Sequence, residues 1–310
     1  MKVIITGGTG LIGTELAKGL VRDGHEVIVL SRNPAGKNLP TGVRAEKWDG
    51  KTAVSWGYLA DGADALVNLA GENIAGSGIF PARWTKERKA RIIKSRTDAG
   101  HAVVDAVGAV ENKPKLVIQS SGIDFYGNVP EGEVTEESPA GNDSFLARVT
   151  IPWENSTTPV EQMGVRRVIL RTGVVLAKEG GSLGTILLPF KFFAGGPVGS
   201  GKQWLSWIHM EDAVRAIRFL LENEDASGSY NLCAPEPVRY REFSKLIGRI
   251  IRRPSYLPAP AFGMKLLLGE AADLVLNGRC AVPKRLQEAG FNFTFPDAQS
   301  ALQNLLKRRE

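Results

Sequence analysis

The stretch KVIITGGTGLIG (2–13) decides the fold that this chain is predicted to adopt. Its first half is a short apolar run ending in glycines, the pattern of a buried strand, and TELAKGLVRDG (14–24) follows as an amphipathic helix. Gly7, Gly10 and Gly13 lie between them with the spacing G-x-x-G-x-x-G. Glycines in this context permit a tight turn and let backbone N–H groups approach a pyrophosphate at the helix N-terminus. We therefore predict a dinucleotide-binding loop; the alternative is a glycine-rich turn that serves packing only.

Further strands alternate with helices along the chain. The apolar runs typical of buried strands are HEVIVLSR (25–32), ADALVNLAG (63–71), KLVIQSSG (115–122) and RRVILRTGVVL (166–176). Strands that alternate with helices indicate a parallel sheet covered by helices on both faces. The predicted fold class is therefore α/β, a Rossmann doubly wound parallel sheet with a smaller mixed C-terminal substrate-side domain.

The pattern changes after residue 176. A Gly-rich apolar stretch (180–203) precedes a helix at 211–223, which we expect to be N-capped near Glu211 or Asp212, and a strand at 228–235. Two more helical segments complete the chain. The predicted domains are a nucleotide-binding domain, 1–175 with about 205–235, and a substrate-side domain, 176–204 and 236–310.

The end of the second strand distinguishes between the two nicotinamide cofactors. An NAD site usually places Asp or Glu there to accept from the ribose 2′-OH. This strand ends in Ser31 and Arg32, a hydroxyl and a guanidinium that suit a 2′-phosphate. The sequence therefore predicts NADP(H), with a surface cation as the alternative for Arg32. Leu69, Ala70 and Gly71 end the third strand, where close approach to the cofactor and a plain tight turn explain them nearly equally.

Composition limits the classes of partner. The chain has 310 residues, of which 43% are hydrophobic, and no run approaches the ~18 apolar residues that span a bilayer. Its start enters a strand directly, so we predict a cytoplasmic protein, leaving open a targeting segment cleaved before Met1. The 2 cysteines and 3 histidines are widely separated, which predicts no metal site.

The net charge of +6 includes one basic stretch, RWTKERKARIIKSR (83–96). It is typical of a helix with Ile92 and Ile93 inward and solvated charges, rather than a phosphate or nucleic-acid site. We predict a small-molecule substrate as partner, with no nucleic acid and no membrane. The oligomeric state stays open.

Five segments occur in one order along the chain: TGGTGLIG, the Ser31–Arg32 pair, NLAG, SSGIDFYG and WIHMEDAVRAI. Together they resemble the extended short-chain dehydrogenase/reductase superfamily, of the NAD-dependent epimerase/dehydratase type. More narrowly, NLAGENI, KSR, FYG, a WE pair, GGPVGSGKQ and WIH are similar to an epimerase-like NADP-binding family with a short C-terminal domain and no settled reaction. The resemblance covers nearly the whole chain and implies the same fold.

The resemblance also implies which residues contact the cofactor. Arg96 and Arg171 are the weaker members, because a structural role explains each of them equally well. The full set is Gly7, Thr9, Gly10, Leu11, Ile12, Gly13, Ser31, Arg32, Leu69, Ala70, Gly71, Arg96 and Arg171.

The segment FLARVTIPWE (145–154) departs from the superfamily pattern. A Tyr with a Lys four residues later is expected there, the lysine lowering the tyrosine pKa so that the phenol exchanges a proton during hydride transfer. Aligning Glu154 with the usual helix glutamate puts Leu146 and Thr150 at those positions. Neither side chain can exchange a proton near neutral pH, so the predicted active site lacks the Tyr-xxx-Lys pair.

Two candidate catalytic residues remain near the fourth strand, Ser121 and Tyr126. Ser121 is a candidate donor to the substrate, and Tyr126 is an acid/base, a pocket wall or a core residue. Trp153 is expected to pack, and Glu154 to lie on the helix surface or in an ion pair. The predicted function is an NADP(H)-binding oxidoreductase or epimerase-like protein with an unknown substrate; the alternative is a non-catalytic scaffold or redox sensor.

Overall fold

The structure, a computed structural model, describes residues 1–36, 39–76, 78 and 81–307. The strands are β1 Lys2–Thr6, β2 Glu26–Ser31, β3 Arg44–Lys47, β4 Ala65–Asn68, β5 Leu116–Gly122, β6 Glu133–Val134, β7 Arg166–Thr172, β8 Val174–Leu176, β9 Trp204–Leu205, β10 Trp207–His209, β11 Gly228–Leu232, β12 Val238–Arg239 and β13 Cys280–Ala281.

The α-helices are α1 Leu11–Arg22, α2 Lys86–Gly108, α3 Phe145–Asn155, α4 Pro159–Gln162, α5 Leu183–Lys191, α6 Met210–Glu222, α7 Tyr240–Ile251, α8 Ala261–Leu268, α9 Asp273–Leu276, α10 Lys284–Glu288 and α11 Ala298–Leu306. Short 3₁₀ helices span Pro34–Gly36, Gly57–Ala60, Ile123–Tyr126 and Gly269–Ala272. Within the described ranges, no helix is long and apolar enough to cross a membrane.

Seven strands form one parallel sheet in the order β3-β2-β1-β4-β5-β7-β11. The chain order reverses at β1, since β2 and β3 lie on one side of it and the later strands lie on the other. Ligands of open α/β sheets bind at the carboxyl ends of the strands at such a switch point. The predicted Rossmann fold is confirmed, and the glycine loop after β1 lies at the reversal.

Alternate residues of β1 pack against helices on opposite faces of the sheet. Val3 and Ile5 share a core with α1 and α6, which includes Ile217. Ile4 packs on the other face with α2, which contributes Val103. All of these side chains are fully buried. Burial on both faces explains why the parallel strands read as near-continuous apolar runs.

Two strands differ from the sequence prediction. Strand β3 has the sequence RAEK and pairs only with β2 at the sheet edge, so it carries no apolar run that would mark it. The strand predicted at 166–176 is divided at Gly173, where a Cβ would lie 2.7 Å from the carbonyl oxygen of Ser206. After this break β8 leaves the main sheet and pairs with β10.

The N-cap predicted for α6 is also wrong. His209 is the cap, and its Nδ1 accepts from the backbone N–H of Glu211 at 3.1 Å. Asp212 is instead fully buried, and its carboxylate accepts from the backbone N–H groups of Thr294 and Phe295 at 2.9 and 2.8 Å. Asp212 therefore anchors the C-terminal segment to α6.

The remaining part of the chain is smaller and mixed, as predicted. Three two-stranded sheets, β8-β10, β9-β12 and β6-β13, accompany α5, α7 and α11. These helices enclose a separate apolar cluster that contains the fully buried Trp207 and Phe243. The domain boundaries given above stay a prediction.

Candidate cofactor and active site

The glycine loop between β1 and α1 is packed too closely for any side chain. Gly7 has φ +66°, and a Cβ there would lie 2.7 Å from the carbonyl carbon of Leu69. A Cβ on Gly13 would lie 2.6 Å from the carbonyl oxygen of Gly7. The backbone of this loop therefore contacts the end of β4 and the first turn of α1 directly; the predicted approach to a pyrophosphate stays a prediction.

The N-terminus of α1 is suited to an anion. Its N-cap, Gly10, has no side chain to satisfy the first N–H groups, and the first turn contains no acidic residue. Unsatisfied N–H groups and the helix dipole together attract a phosphate. Gly10 and Leu11 are exposed, and Thr9 and Ile12 are half-buried. All four predicted residues thus contribute surface at one place.

Positive charge gathers at the carboxyl end of β2. Ser31 is buried and its Oγ accepts from the backbone N–H of Asn33 at 3.3 Å, whereas Arg32 is exposed. In the part of the chain that the structure describes, Arg32 makes no ion pair. Strand β3 places Lys47 opposite Ser31 in the sheet register. Lys47 is a second cation at this position that the sequence analysis missed, because RAEK does not resemble a strand.

A chain of hydrogen bonds between buried polar side chains joins the neighbouring strand ends. Thr6 Oγ1 donates to Asn68 Oδ1 at 2.5 Å, and Asn68 Nδ2 donates to Gln119 Oε1 at 2.9 Å. These three side chains join β1, β4 and β5, and each is 1% exposed or less. They hold the half-buried Leu69 and Ala70 beside the glycine loop.

Arg96, on helix α2, donates hydrogen bonds to the loop that follows β4 and to its own helix. It is 8% exposed, its Nη1 donates to the backbone oxygens of Glu72 and Ile92 at 3.0 and 3.1 Å, and its guanidinium lies 4.6 Å from the ring centroid of Trp153. Burial lowers its pKa to about 10, although the charges of Glu72 and Asp124 act in the opposite direction. Most other charges of the 83–96 stretch are solvated as predicted, and Trp153 packs as expected. The bonds of Arg96 to backbone favour its structural alternative.

A buried polar network occupies the ends of β5 and β7. Ser121 Oγ donates to Glu154 Oε1 at 2.7 Å, and Arg171 binds both carboxylate oxygens of Glu154 at 3.0 and 3.1 Å. All three residues are at most 6% exposed. The ion-pair alternative for Glu154 is therefore the right one. The guanidinium of Arg171 is engaged by protein groups, which argues against the predicted cofactor contact.

Tyr126 is the next member of this network. Its hydroxyl accepts from Arg171 Nη1 at 3.1 Å and donates to Asn231 Oδ1 at 2.6 Å, and the residue is 3% exposed. Burial raises its pKa to about 12, and Arg171 offsets only part of that rise. A general acid or base needs access and a pKa near the working pH. These contacts and this burial favour the core alternative for Tyr126, and its catalytic role stays a prediction.

Helix α3 offers no substitute for the expected proton exchanger. Leu146 and Thr150 are 6% and 3% exposed, and Thr150 Oγ1 donates to the backbone oxygen of Ala147 at 2.8 Å. Ser121 is equally occupied by Glu154. Its predicted role as a donor to substrate would require that bond to be exchanged, and stays a prediction.

One accessible carboxylate does lie beyond the end of β5. The side chain of Asp124 is 30% exposed, and Arg279 Nη1 donates to its Oδ1 at 2.6 Å. Arg279 is 7% exposed, and its Nε has no hydrogen-bond partner among the described residues. Arg96 adds a second positive charge that acts on Asp124. Sequence reasoning could not find this pair, because 155 positions separate its members.

No group of three or more His, Cys, Asp or Glu side chains in the described ranges is arranged to hold a metal ion.

A glycine loop at the switch point of a seven-stranded parallel sheet, followed by a smaller mixed region, defines a Rossmann-like α/β protein. The chain belongs to the NAD dependent epimerase/dehydratase family, whose model matches residues 3–233. Residues 259–305 match a second model, a domain of unknown function, DUF1731. These matches confirm the family resemblance inferred from the motifs.

Several relatives match over almost their whole length. The epimerase family protein YfhF of Bacillus subtilis strain 168 is 39% identical, over 100% of this chain and 99% of the relative. The chloroplastic SDR39U1 homolog of Arabidopsis thaliana is 38% identical, over 99% of this chain and 87% of its own. The crystal structure of human epimerase family protein SDR39U1 with NADPH has a TM-score of 0.85 at 31% identity, covering 98% of this chain and 99% of the human one. A UDP-glucose 4-epimerase from Thermotoga maritima, with a TM-score of 0.77 at 16% identity, shows the fold alone.

Proposed function

We propose that this protein binds NADP(H) and acts as an oxidoreductase or epimerase-like enzyme with a non-standard active site. The observation that carries the proposal is the carboxyl edge of β1 and β2. There the glycine loop leaves the N-terminus of α1 without a side-chain cap, and Ser31 and Arg32 replace the usual ribose-binding carboxylate. The NADPH in the human SDR39U1 crystal structure supports the same cofactor for this chain.

The residues present fit this cofactor. Backbone N–H groups of the glycine loop would hold the pyrophosphate, and Arg32 with Lys47 would bind the 2′-phosphate. The bound nicotinamide would supply hydride transfer. Leu69 and Ala70 would orient the cofactor from the β4 side. Asp124, beside Arg279, is the accessible side chain that would hold or move a proton in place of the missing tyrosine.

A calorimetric titration with NADPH and NADH tests the cofactor assignment. We expect tight NADPH and weak NADH binding by the unaltered protein. Arg32→Ala removes charge-assisted bonds of about 1.5–3 kcal/mol, so NADPH affinity should fall by about 10- to 150-fold while NADH affinity changes little.

The matched control is Arg22→Ala, which removes an exposed arginine from the last turn of α1. It should leave both affinities unchanged. Equal losses of NADPH and NADH binding in Arg32→Ala would refute the 2′-phosphate assignment.

A second candidate function is a cofactor-binding scaffold or redox sensor without turnover. The burial of Tyr126, Leu146 and Thr150 favours it, because none of them can exchange a proton with a ligand. NADPH oxidation should be screened against small carbonyl and sugar-like substrates. Turnover that Asp124→Asn abolishes without loss of NADPH binding supports the enzyme; tight NADPH binding with no turnover on any substrate supports the scaffold.

A further inference from the structure

Two segments, 180–210 and 243–269, carry a net positive charge because they lack acidic residues. Together they contain 58 residues and no Asp or Glu, although the chain average of 33 acids in 310 residues would place about six there. They contain seven of the 39 cationic residues, so the rest of the chain has 32 cations and 33 acids. Nearly the whole net charge of +6 therefore comes from these segments. Their cations are Lys191, Lys202, Lys245, Arg249, Arg252, Arg253 and Lys265.

The fold brings the two segments side by side. Isolated parallel bridges join Gly195 to Ser255 and Val198 to Ala259. The backbone N–H of Leu257 donates to the oxygen of Gly195 at 3.1 Å. All seven cations are exposed, and only Lys245 makes an ion pair within the described residues. We call the exposed side chains of these two neighbouring segments the basic apolar surface; Glu242 and Glu270 border it.

This surface also exposes large apolar side chains. Aromatic and leucine residues with more than half of their surface in solvent are rare in the described chain, and most of them lie here. They are Phe192 at 74%, Phe193 at 58%, Tyr256 at 73%, Leu257 at 53%, Phe262 at 75%, Leu266 at 73% and Leu267 at 58%. Large exposed apolar patches mark interaction sites.

Backbone strain points to the same surface. Phe193 and Arg252, with φ of 60° and 54°, are the two non-glycine residues of the described chain with positive φ. Arg252 occupies the C-cap of α7, where glycine is the usual left-handed residue, and Phe193 is stacked against Arg253 at 4.1 Å from the ring centroid. A bulky residue with positive φ is a conformational outlier, and such strain clusters at functional sites. The protein keeps an aromatic ring and a cation where glycine would be more stable.

We propose that the basic apolar surface docks on an anionic lipid bilayer. Exposed Phe, Tyr and Leu side chains would enter the headgroup region, while Lys and Arg bind anionic headgroups. This inference goes beyond the proposed function, concerns peripheral attachment, and replaces the sequence-based expectation of no membrane partner.

The charge pattern favours a bilayer over a second copy of the chain. A two-fold dimer through this surface would place two net-positive surfaces against each other, and like charges across an interface repel. An anionic bilayer instead supplies opposite charge across the whole surface together with an apolar layer beneath it.

Vesicle co-sedimentation tests the proposal on the full chain. The probes are vesicles of phosphatidylcholine alone and of phosphatidylcholine with about one third phosphatidylglycerol. We expect binding to the anionic vesicles, weak binding to the neutral ones, and release near 1 M salt, where the Debye length is about 3 Å.

The decisive variant is Phe193→Gly combined with Arg252→Gly. Glycine relieves both strained positions, so the thermal midpoint should stay equal or rise, while vesicle affinity should fall at least about tenfold. The matched control is Val54→Ser with Tyr58→Ser, which removes two apolar residues that are 91% and 64% exposed elsewhere. The control should bind vesicles like the unaltered protein.

Three results would overturn the proposal. These are equal binding to neutral and anionic vesicles, binding to neither, and unchanged binding by the double glycine variant. Light scattering adds a fourth: an unaltered protein that is dimeric and a glycine variant that is monomeric would assign the surface to a second copy.

Discussion

The two halves of the sheet's carboxyl edge use their polar groups in opposite ways. At β1 and β2 the polar groups are open, because Gly10 lacks a capping side chain and Arg32 is exposed. At β5 and β7 they bond to one another, and Ser121, Tyr126 and Arg171 are each at most 6% exposed. The β1–β2 half, called here the open half, is arranged to receive a ligand. The β5–β7 half, called here the closed half, is protein interior.

This difference separates cofactor binding from proton exchange. Binding a dinucleotide needs a backbone loop and cations that face solvent, and the β1–β2 half has both. Exchanging a proton needs an accessible group whose pKa lies near the working pH. Tyr126, with its pKa raised to about 12, meets neither condition. The predicted absence of the Tyr-xxx-Lys pair is therefore compatible with a retained cofactor site.

Breaking the closed half should give the largest effect. Glu154→Ala leaves Arg171 buried without its counter-charge, and removing one partner of a buried ion pair costs about 3–5 kcal/mol. The free energy of unfolding, measured by urea denaturation, should fall by that amount.

The control for this variant is Glu161→Ala. Glu161 forms an ion pair with Arg167, which lies on β7 like Arg171, but the Glu161 side chain is 47% exposed. Its removal should therefore lower the free energy of unfolding by no more than about 1 kcal/mol. Replacing both buried partners, with Glu154→Leu and Arg171→Met, should restore much of the stability. Similar costs for Glu154→Ala and Glu161→Ala would contradict the buried network.

Closing the open half should have the next largest effect. In Gly7→Ala the new Cβ meets the backbone of Leu69 at 2.7 Å and Ala must adopt φ +66°, so the loop has to move. NADPH affinity should fall by roughly 2 kcal/mol or about 30-fold, measured by calorimetry. Gly24→Ala shares the strain, with φ +81°, but meets no atom within 4 Å. If Gly24→Ala weakened NADPH binding equally, the loop geometry would not explain the loss.

The open half could be predicted from the sequence because its signals are local. Apolar periodicity marks β1 and α1, the glycines lie between them, and Ser31–Arg32 directly follows a recognisable strand. The fold class follows from the same local patterns. Lys47 was missed because β3 has no apolar run and is held only by its edge pairing with β2.

The closed half could not be predicted, since its residues meet only in the folded chain. Tyr126 and its acceptor Asn231 are 105 positions apart, and Arg279 is 155 positions from Asp124. Whether a tyrosine is an acid or a core residue depends on such partners and on burial. The motif DFYG contains neither kind of information.

Tyr126→Phe distinguishes the two roles of this residue. The variant leaves Asn231 without its donor inside the protein, so the free energy of unfolding should fall by about 1–3 kcal/mol. Any NADPH oxidation found in screening should persist, measured at a temperature where the variant is folded. Loss of turnover with unchanged stability would restore the catalytic role and show that the closed half opens during the reaction.

The smallest effect concerns His209, which caps α6 through an unprotonated Nδ1. Burial lowers its pKa from the ordinary value of about 6.5, although Asp212 and Glu211 oppose the shift. At pH values between the pKa of His209 in the folded protein and its pKa in the unfolded chain, the unfolded chain binds more protons. The stability that neutral His209 contributes is therefore complete above pH ~6.5. It is lost as the pH falls through the pKa of the folded state. His209→Asn keeps a capping side chain but cannot titrate. When the pH is lowered from ~7 to ~5, the thermal midpoint of His209→Asn should fall less than that of the unaltered protein. Equal falls in the two thermal midpoints would show that other groups cause the sensitivity to acid.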